Sequence, residues 1–237
     1  MLWYKAWLET RSRFLISLGG IVALSSYIVF HEDHSGGPYP PQWFARSLHT
    51  GHVLLATMWA LAVTLLMMGG LVREKAVGAA SFTLALPVSR ARLMRIRILA
   101  GLVEGMALIL IPWSVMYVVS AVSGGATSLY QAFFHVVLLA GGGLVFFAVA
   151  LLVSSLVEGE YTAPAVSFGI VVVATVALGD RPLSDYNPWY FILGSEYLSR
   201  NTALLTGPIP WMHVAASVLL AALLAAISIK VIERREF

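Results

Sequence analysis

The run Leu129-Tyr-Gln-Ala-Phe-Phe-His-Val-Val-Leu-Leu-Ala-Gly-Gly-Gly-Leu-Val-Phe-Phe-Ala-Val-Ala-Leu-Leu-Val-Ser-Ser-Leu-Val157 contains no Asp, Glu, Lys or Arg. About 20 apolar helical residues reach across the hydrocarbon core of a bilayer, and this run exceeds that length. Comparable stretches occupy residues 14–30, 51–72, 98–122, 163–179 and 211–232, so the sequence predicts six spans in a single all-α transmembrane domain over 1–237. Composition agrees. With 59% hydrophobic and 11% charged residues, the chain has too little polar surface to coat a soluble globule.

Working outward, residues 123–128 (Ser-Gly-Gly-Ala-Thr-Ser) form a turn cluster that makes spans three and four a tight helical hairpin. Ahead of span one, Leu2, Trp3, Trp7 and Leu8 alternate with Lys5, Glu9, Arg11 and Arg13, which predicts an interfacial helix over residues 1–13 lying along the membrane surface. The span after it ends in Tyr27-Ile-Val-Phe-His31 without a small-residue cleavage site and reads as retained. Residues 32–50, with Gly36-Gly-Pro-Tyr-Pro-Pro41, read as irregular, and Tyr186-Asn-Pro-Trp-Tyr-Phe-Ile-Leu193 reads as a segment dipping into the outer interface.

The net charge of +3 points to the membrane surface rather than to nucleic acid, because the cations are grouped. Lys5, Arg11 and Arg13 precede span one; Arg73, Lys75, Arg90, Arg92, Arg95 and Arg97 lie between spans two and three; Lys230, Arg234 and Arg235 close the chain. Only Arg46, Arg181 and Arg200 fall elsewhere, so both termini are expected on the cytoplasmic side. The absence of Cys removes disulfides, thiolate metal sites and Cys nucleophiles.

Between spans two and three, residues 73–90 carry the only polar stretch with an organised pattern. Glu74 and Gly78 lie four apart on one helical face, Val77, Phe82, Leu84 and Leu86 supply an apolar side, and Pro87 stops the helix. Ser89 then caps the next helix, with Val88 and Leu93 at hydrophobic-staple spacing, and Arg90 opens its basic start. A plain solvated loop has no use for a short amphipathic helix ended by Leu-Pro.

The order Glu74-x-x-x-Gly78, then Leu84-x-Leu86-Pro87-Val88-Ser89-Arg90, between two spans, resembles the permease subunits of ABC-type exporters of the type-2 family. The resemblance extends to the helix before span one, the six spans and the aromatic connection before span six. It implies that residues 73–90 are a coupling helix seated in a cytoplasmic ABC ATPase subunit. It also implies two permease chains, taken as identical, with two ATPase chains in a bacterial or archaeal cytoplasmic membrane. No Gly-x-x-x-x-Gly-Lys-Ser/Thr occurs, so ATP and Mg are expected on the partner and no cofactor or catalytic residue is expected here.

Three further groups carry chemistry. Glu104, about two turns inside span three, is either the partner of an Arg from the basic cluster or, with Tyr186 and Trp189, a residue of the path or gate. Gly101 and Gly105 beside it permit close helix approach at a dimer interface or central path. His31, His34, His49, His52, His135 and His213 all fall in outer loops or outer halves of spans and read as scattered polar residues with no metal assigned, the alternative being metal delivery or a proton-sensitive gate at His31-Glu-Asp-His34 and Met212-His213. Ser25, Ser26, Ser154 and Ser155 lack a nucleophile turn and read as hydroxyls bonded back to helix carbonyls. Gly141-Gly-Gly143 reads as a packing notch, with a hinge as the alternative. The function expected is thus the membrane permease of an ATP-driven exporter. The rivals are a stand-alone intramembrane protease or lipid-modifying enzyme and a non-transporting assembly factor. A lipid, a hydrophobic peptide or a drug-like molecule is the expected cargo class.

Overall fold

The computed structural model describes residues 2–33, 41–67, 88–122, 128–157, 162–178, 187–199 and 204–234. Among them the chain forms α1 (Leu2–Asp33), α2 (Pro41–Leu66), α3 (Arg90–Val122), α4 (Leu129–Leu156), α5 (Thr162–Ala177), α6 (Pro188–Leu193) and α7 (Trp211–Arg234). No strand forms among the described residues; the one β-type contact is the isolated antiparallel bridge Leu198–Leu205. His49–Leu66, Arg90–Val119, Leu129–Leu156 and Trp211–Arg234 are long and apolar enough to cross a membrane. The 16 residues of α5 rise about 24 Å, short of the roughly 30 Å hydrocarbon core.

Two boundaries differ from the sequence expectation. The interfacial helix and the first span are one continuous helix, α1, because no Pro or Gly interrupts the junction at Arg13 and Phe14 and one buried face runs through it. Thr10, Phe14, Ile21 and Ser25 lie along that face at helical spacing. The stretch 32–50 is not irregular throughout. α1 runs to Asp33 and α2 begins at Pro41, where a proline without an N–H loses nothing in the first turn. The turn cluster between α3 and α4 lies outside the described residues except for Ser128, whose hydroxyl caps α4 by accepting from Tyr130 N.

Taken in order, α1, α2, α3, α4, α5 and α7 alternate in direction. The start of α1 meets the end of α2 and the start of α3: Arg13 Nη1 donates to the Leu65 carbonyl at 3.4 Å, and Arg97 Nη2 donates to the Met67 carbonyl at 2.8 Å. At the opposite end the starts of α2 and α4 face each other through His52 and His135, and α7 begins beside α4, with Val214 against Gly141. The end of α5 is tied there too, since Asn187 Nδ2 donates to the Thr175 carbonyl at 2.9 Å. Leu2 and Arg234 therefore lie toward one end of the bundle, together with the termini that flank residues 68–87.

The middle of α4 is the packing centre. A Cβ on Gly141 would stand 2.8 Å from Val214, one on Gly142 2.6 Å from Phe191, and one on Gly143 2.5 Å from the Trp59 ring. Each distance is below contact, so the glycines are notches that admit α7, α6 and α2. Gly101 is another: a Cβ there would meet Met67 and Phe147 of the same chain. The Gly101 and Gly105 face is thus buried within this chain and is not free for a dimer interface.

Candidate functional site

Two buried polar groups stand at opposite ends of the bundle. At the end carrying the chain termini, Glu104 of α3 accepts a hydrogen bond from Thr10 Oγ1 of α1 at 2.5 Å through Oε1, while Oε2 is buried without a partner. Thr10 also reaches its own helix at the Ala6 carbonyl, 3.1 Å away. The hydrogen-bond partner thus comes from α1, while Arg97 of the basic cluster, where the sequence places a partner, acts on Glu104 through its charge. The two residues are 94 apart in the chain, and only the docking of α1 on α3 brings them together.

Ser89 starts α3 as expected: its hydroxyl accepts from Arg92 N at 3.3 Å and its carbonyl from Leu93 N at 3.1 Å. Arg90 is the first helical residue. The remaining residues expected to couple to an ATPase, Glu74, Gly78, Phe82, Leu84, Leu86 and Pro87, lie outside the described residues, as does Tyr186. What the structure does describe is the pair of ends between which that segment runs, joined by the Arg97–Met67 hydrogen bond.

At the opposite end three of the histidines are brought together, while His34 and the side chain of His31 lie outside the described residues. His49 and His52 stand three apart on α2 and share a face, His135 of α4 points to them, and Trp113 of α3 packs against the group. The His52 and His135 ring centres are 4.6 Å apart; His49 lies 6.0 Å from His135 and 6.4 Å from His52. His52 and His135 are buried. Among the described residues no three His, Cys, Asp or Glu side chains stand in metal-holding positions as they are placed.

The ring nitrogens divide into two kinds. His52 Nε2 is 2.8 Å from the Ile192 carbonyl, and His135 Nδ1 is 2.8 Å from the Gln131 carbonyl. A carbonyl oxygen only accepts, so in the neutral rings these two nitrogens carry the hydrogens. His52 Nδ1 and His135 Nε2 are then unprotonated lone pairs, and both are buried with no partner. His49 Nδ1 and the indole Nε1 of Trp113 are buried and unpartnered as well.

The aromatic connection before α7 closes this end. Asn187 caps α6, its side-chain oxygen accepting from Trp189 N at 3.0 Å, and Gly194 ends that helix at φ 68°. Trp189, expected at a gate, packs edge-on against Phe146 of α4, with ring centres 6.0 Å apart. Gln131 holds Leu205 by both backbone groups, donating to its carbonyl at 2.8 Å and accepting from its N–H at 2.9 Å. Asn187, Gln131 and Trp113 were not singled out by sequence; Asn187-Pro188 is the one that carries a local signal, a cap followed by a first-turn proline. Of the four serines expected to bond back, three do: Ser25 to the Ile21 carbonyl, Ser154 to Leu151 at 2.8 Å and Ser155 to Leu152 at 2.7 Å. Neither the protein-family models nor the curated proteins compared with this chain include a match to it.

Proposed function

We propose that the chain is the membrane permease subunit of an ATP-driven exporter, which works as a dimer of permeases on a separate cytoplasmic ABC ATPase. The observation that carries this reading is the segment from Glu74 to Arg90, a short amphipathic pattern closed by Leu86-Pro87, placed between two apolar helices. Its supports in the fold are the joined ends of α2 and α3 at Arg97 and Met67 and the capped, basic start of α3. Lys5, Arg11, Arg13, Arg90, Arg92, Arg95, Arg97, Lys230 and Arg234 all lie toward the same end, as a cytoplasmic face requires. Six spans, counting α1 and α5 with the four helices long and apolar enough to cross a membrane, and a bacterial or archaeal cytoplasmic membrane belong to the same proposal.

The coupling segment is what separates this reading from an intramembrane enzyme or an assembly factor. An apolar side made by Val77, Phe82 and Leu86 beyond the bilayer is suited to a protein partner, and removing one buried interface aromatic commonly costs about 2 kcal/mol or more. Phe82→Ala is therefore expected to release the ATPase from complexes purified in lipid. Glu74→Ala is expected to leave the complex assembled and to break the dependence of ATP turnover on cargo. Wild-type ATPase content and turnover in both variants and in a deletion of residues 77–86 would remove the proposal.

A further inference from the structure

The buried histidines have a feature that the exporter reading does not use. His52 and His135 each give one ring N–H to a backbone carbonyl, which fixes the tautomer and holds the ring, and each keeps a buried lone pair that nothing in the protein satisfies. This is the supporting arrangement of metal-ligating histidines, whose far nitrogen is oriented by a carbonyl or carboxylate while the near one binds the ion. A lone pair kept from water and from any donor is costly, and two of them on facing helices call for a shared cationic guest.

We propose that His49, His52 and His135 form a binding site for one divalent transition-metal ion of the zinc and cobalt class. The donors are His52 Nδ1, His135 Nε2 and His49 Nδ1, each of them buried and without a partner. With metal–nitrogen bonds of about 2.0–2.1 Å and tetrahedral angles, three imidazole centres stand about 5 Å apart. The 4.6 Å between His52 and His135 is close to that, whereas the 6.0 and 6.4 Å to His49 have to shorten by roughly 1 Å for its ring to join them. His49 is only half-buried, so it is the ligand with room to move.

Three neutral imidazoles leave the ion its double charge, which favours an anion such as hydroxide, chloride or a small carboxylate over water in the fourth position. Trp113 meets this need. Its indole N–H is buried without an acceptor, and its ring lies 5.1 and 5.6 Å from those of His135 and His52. It is a donor available to the anionic ligand, which accounts for the fourth unpartnered atom of the cluster. The site does not depend on the exporter reading, since it needs only the packing of α2, α3, α4 and α6.

The test uses the full chain, purified in mild detergent without a polyhistidine tag and stripped with chelator. Cobalt is titrated in first, with metal content measured by dialysis and elemental analysis and the visible absorption read for four-coordinate geometry; zinc then competes. One ion per chain is expected, with affinity lowered at least about tenfold in His52→Ala and in His135→Ala and unchanged in His213→Ala, whose ring stacks on Phe191 away from the cluster. Absence of stoichiometric cobalt in the wild type, or its retention in both cluster variants, overturns the site and leaves a hydrated polar pocket. Where a variant loses helical content, X-ray absorption on the wild-type cobalt complex decides: two or more imidazole ligands support the site, and fewer overturn it.

Discussion

Trp59 gives its indole N–H to the Gly105 carbonyl at 2.8 Å while its ring fills the notch above Gly143, so one side chain of α2 joins α3 to α4. Both contacts are made inside the bundle, where neither can be replaced by water. Gly143→Ala drives a methyl into that ring and is expected to destabilise the protein by about 1–3 kcal/mol. Trp59→Phe loses the hydrogen bond, leaves a smaller ring in the notch and costs about 1 kcal/mol or more. Thermal unfolding in detergent, followed by circular dichroism, measures both. A Gly143→Ala protein as stable as wild type would mean that Trp59 does not occupy the notch.

A second prediction concerns the docking of α1. Thr10→Val removes the donor to Glu104 and leaves a second buried carboxyl oxygen unsatisfied, at a cost of about 1–3 kcal/mol. Glu104→Gln keeps an oxygen for Thr10 and is expected to cost less. A double-mutant cycle on the pair should show a coupling of at least about 0.5 kcal/mol; strict additivity would show that α1 does not use this contact.

Much of this was readable in the chain before any coordinates. Apolar runs give α2, α3, α4 and α7 directly, because span length is a one-dimensional property and the break at Ser89 is a local one. The cap at Ser89, the back-bonded serines and the small-residue notches also follow from short-range chemistry. Thr10 with Glu104, and His49 with His52 and His135, could not be read that way. A Thr in a charged surface-helix pattern and six histidines spread over the chain become sites only when separate helices dock, and no spacing in the sequence encodes which helix faces which. The continuity of α1 was missed for a different reason: its change in polarity at Arg13 looked like a boundary, whereas the buried face continues through it.

The connection closing the histidine end gives a third prediction. Gln131 is the side chain that holds both backbone groups of Leu205, so Gln131→Leu leaves a buried N–H and C=O unpaired. Amide exchange at Leu205 is expected to speed up about tenfold or more, with little change in the middle of α4. Unchanged exchange there would show that the connection is held by other contacts.

The natural absence of Cys allows the topology to be tested by single introduced thiols. Ser89 and Thr206 are both exposed and lie toward opposite ends of the bundle. In sealed vesicles, Ser89→Cys is expected to react with a membrane-impermeant maleimide only from the cytoplasmic side, and Thr206→Cys only from the outside. Labelling of both from one side would contradict the alternating helix directions, and a reversed pattern would place residues 73–90 where the proposed ATPase cannot reach them.

The three successive glycines of α4 also limit how the protein can move. Neighbouring residues of a helix point about 100° apart, so Gly141, Gly142 and Gly143 present backbone to three different helices within a single turn. A screw motion of α4 by one residue, about 100° of rotation with about 1.5 Å of rise, would carry Ala140 or Leu144 into a slot sized for hydrogen. That motion is not open to α4 alone. The three notches tie α4 to α2, α6 and the start of α7, so these elements are locked to one another at the middle of the bundle.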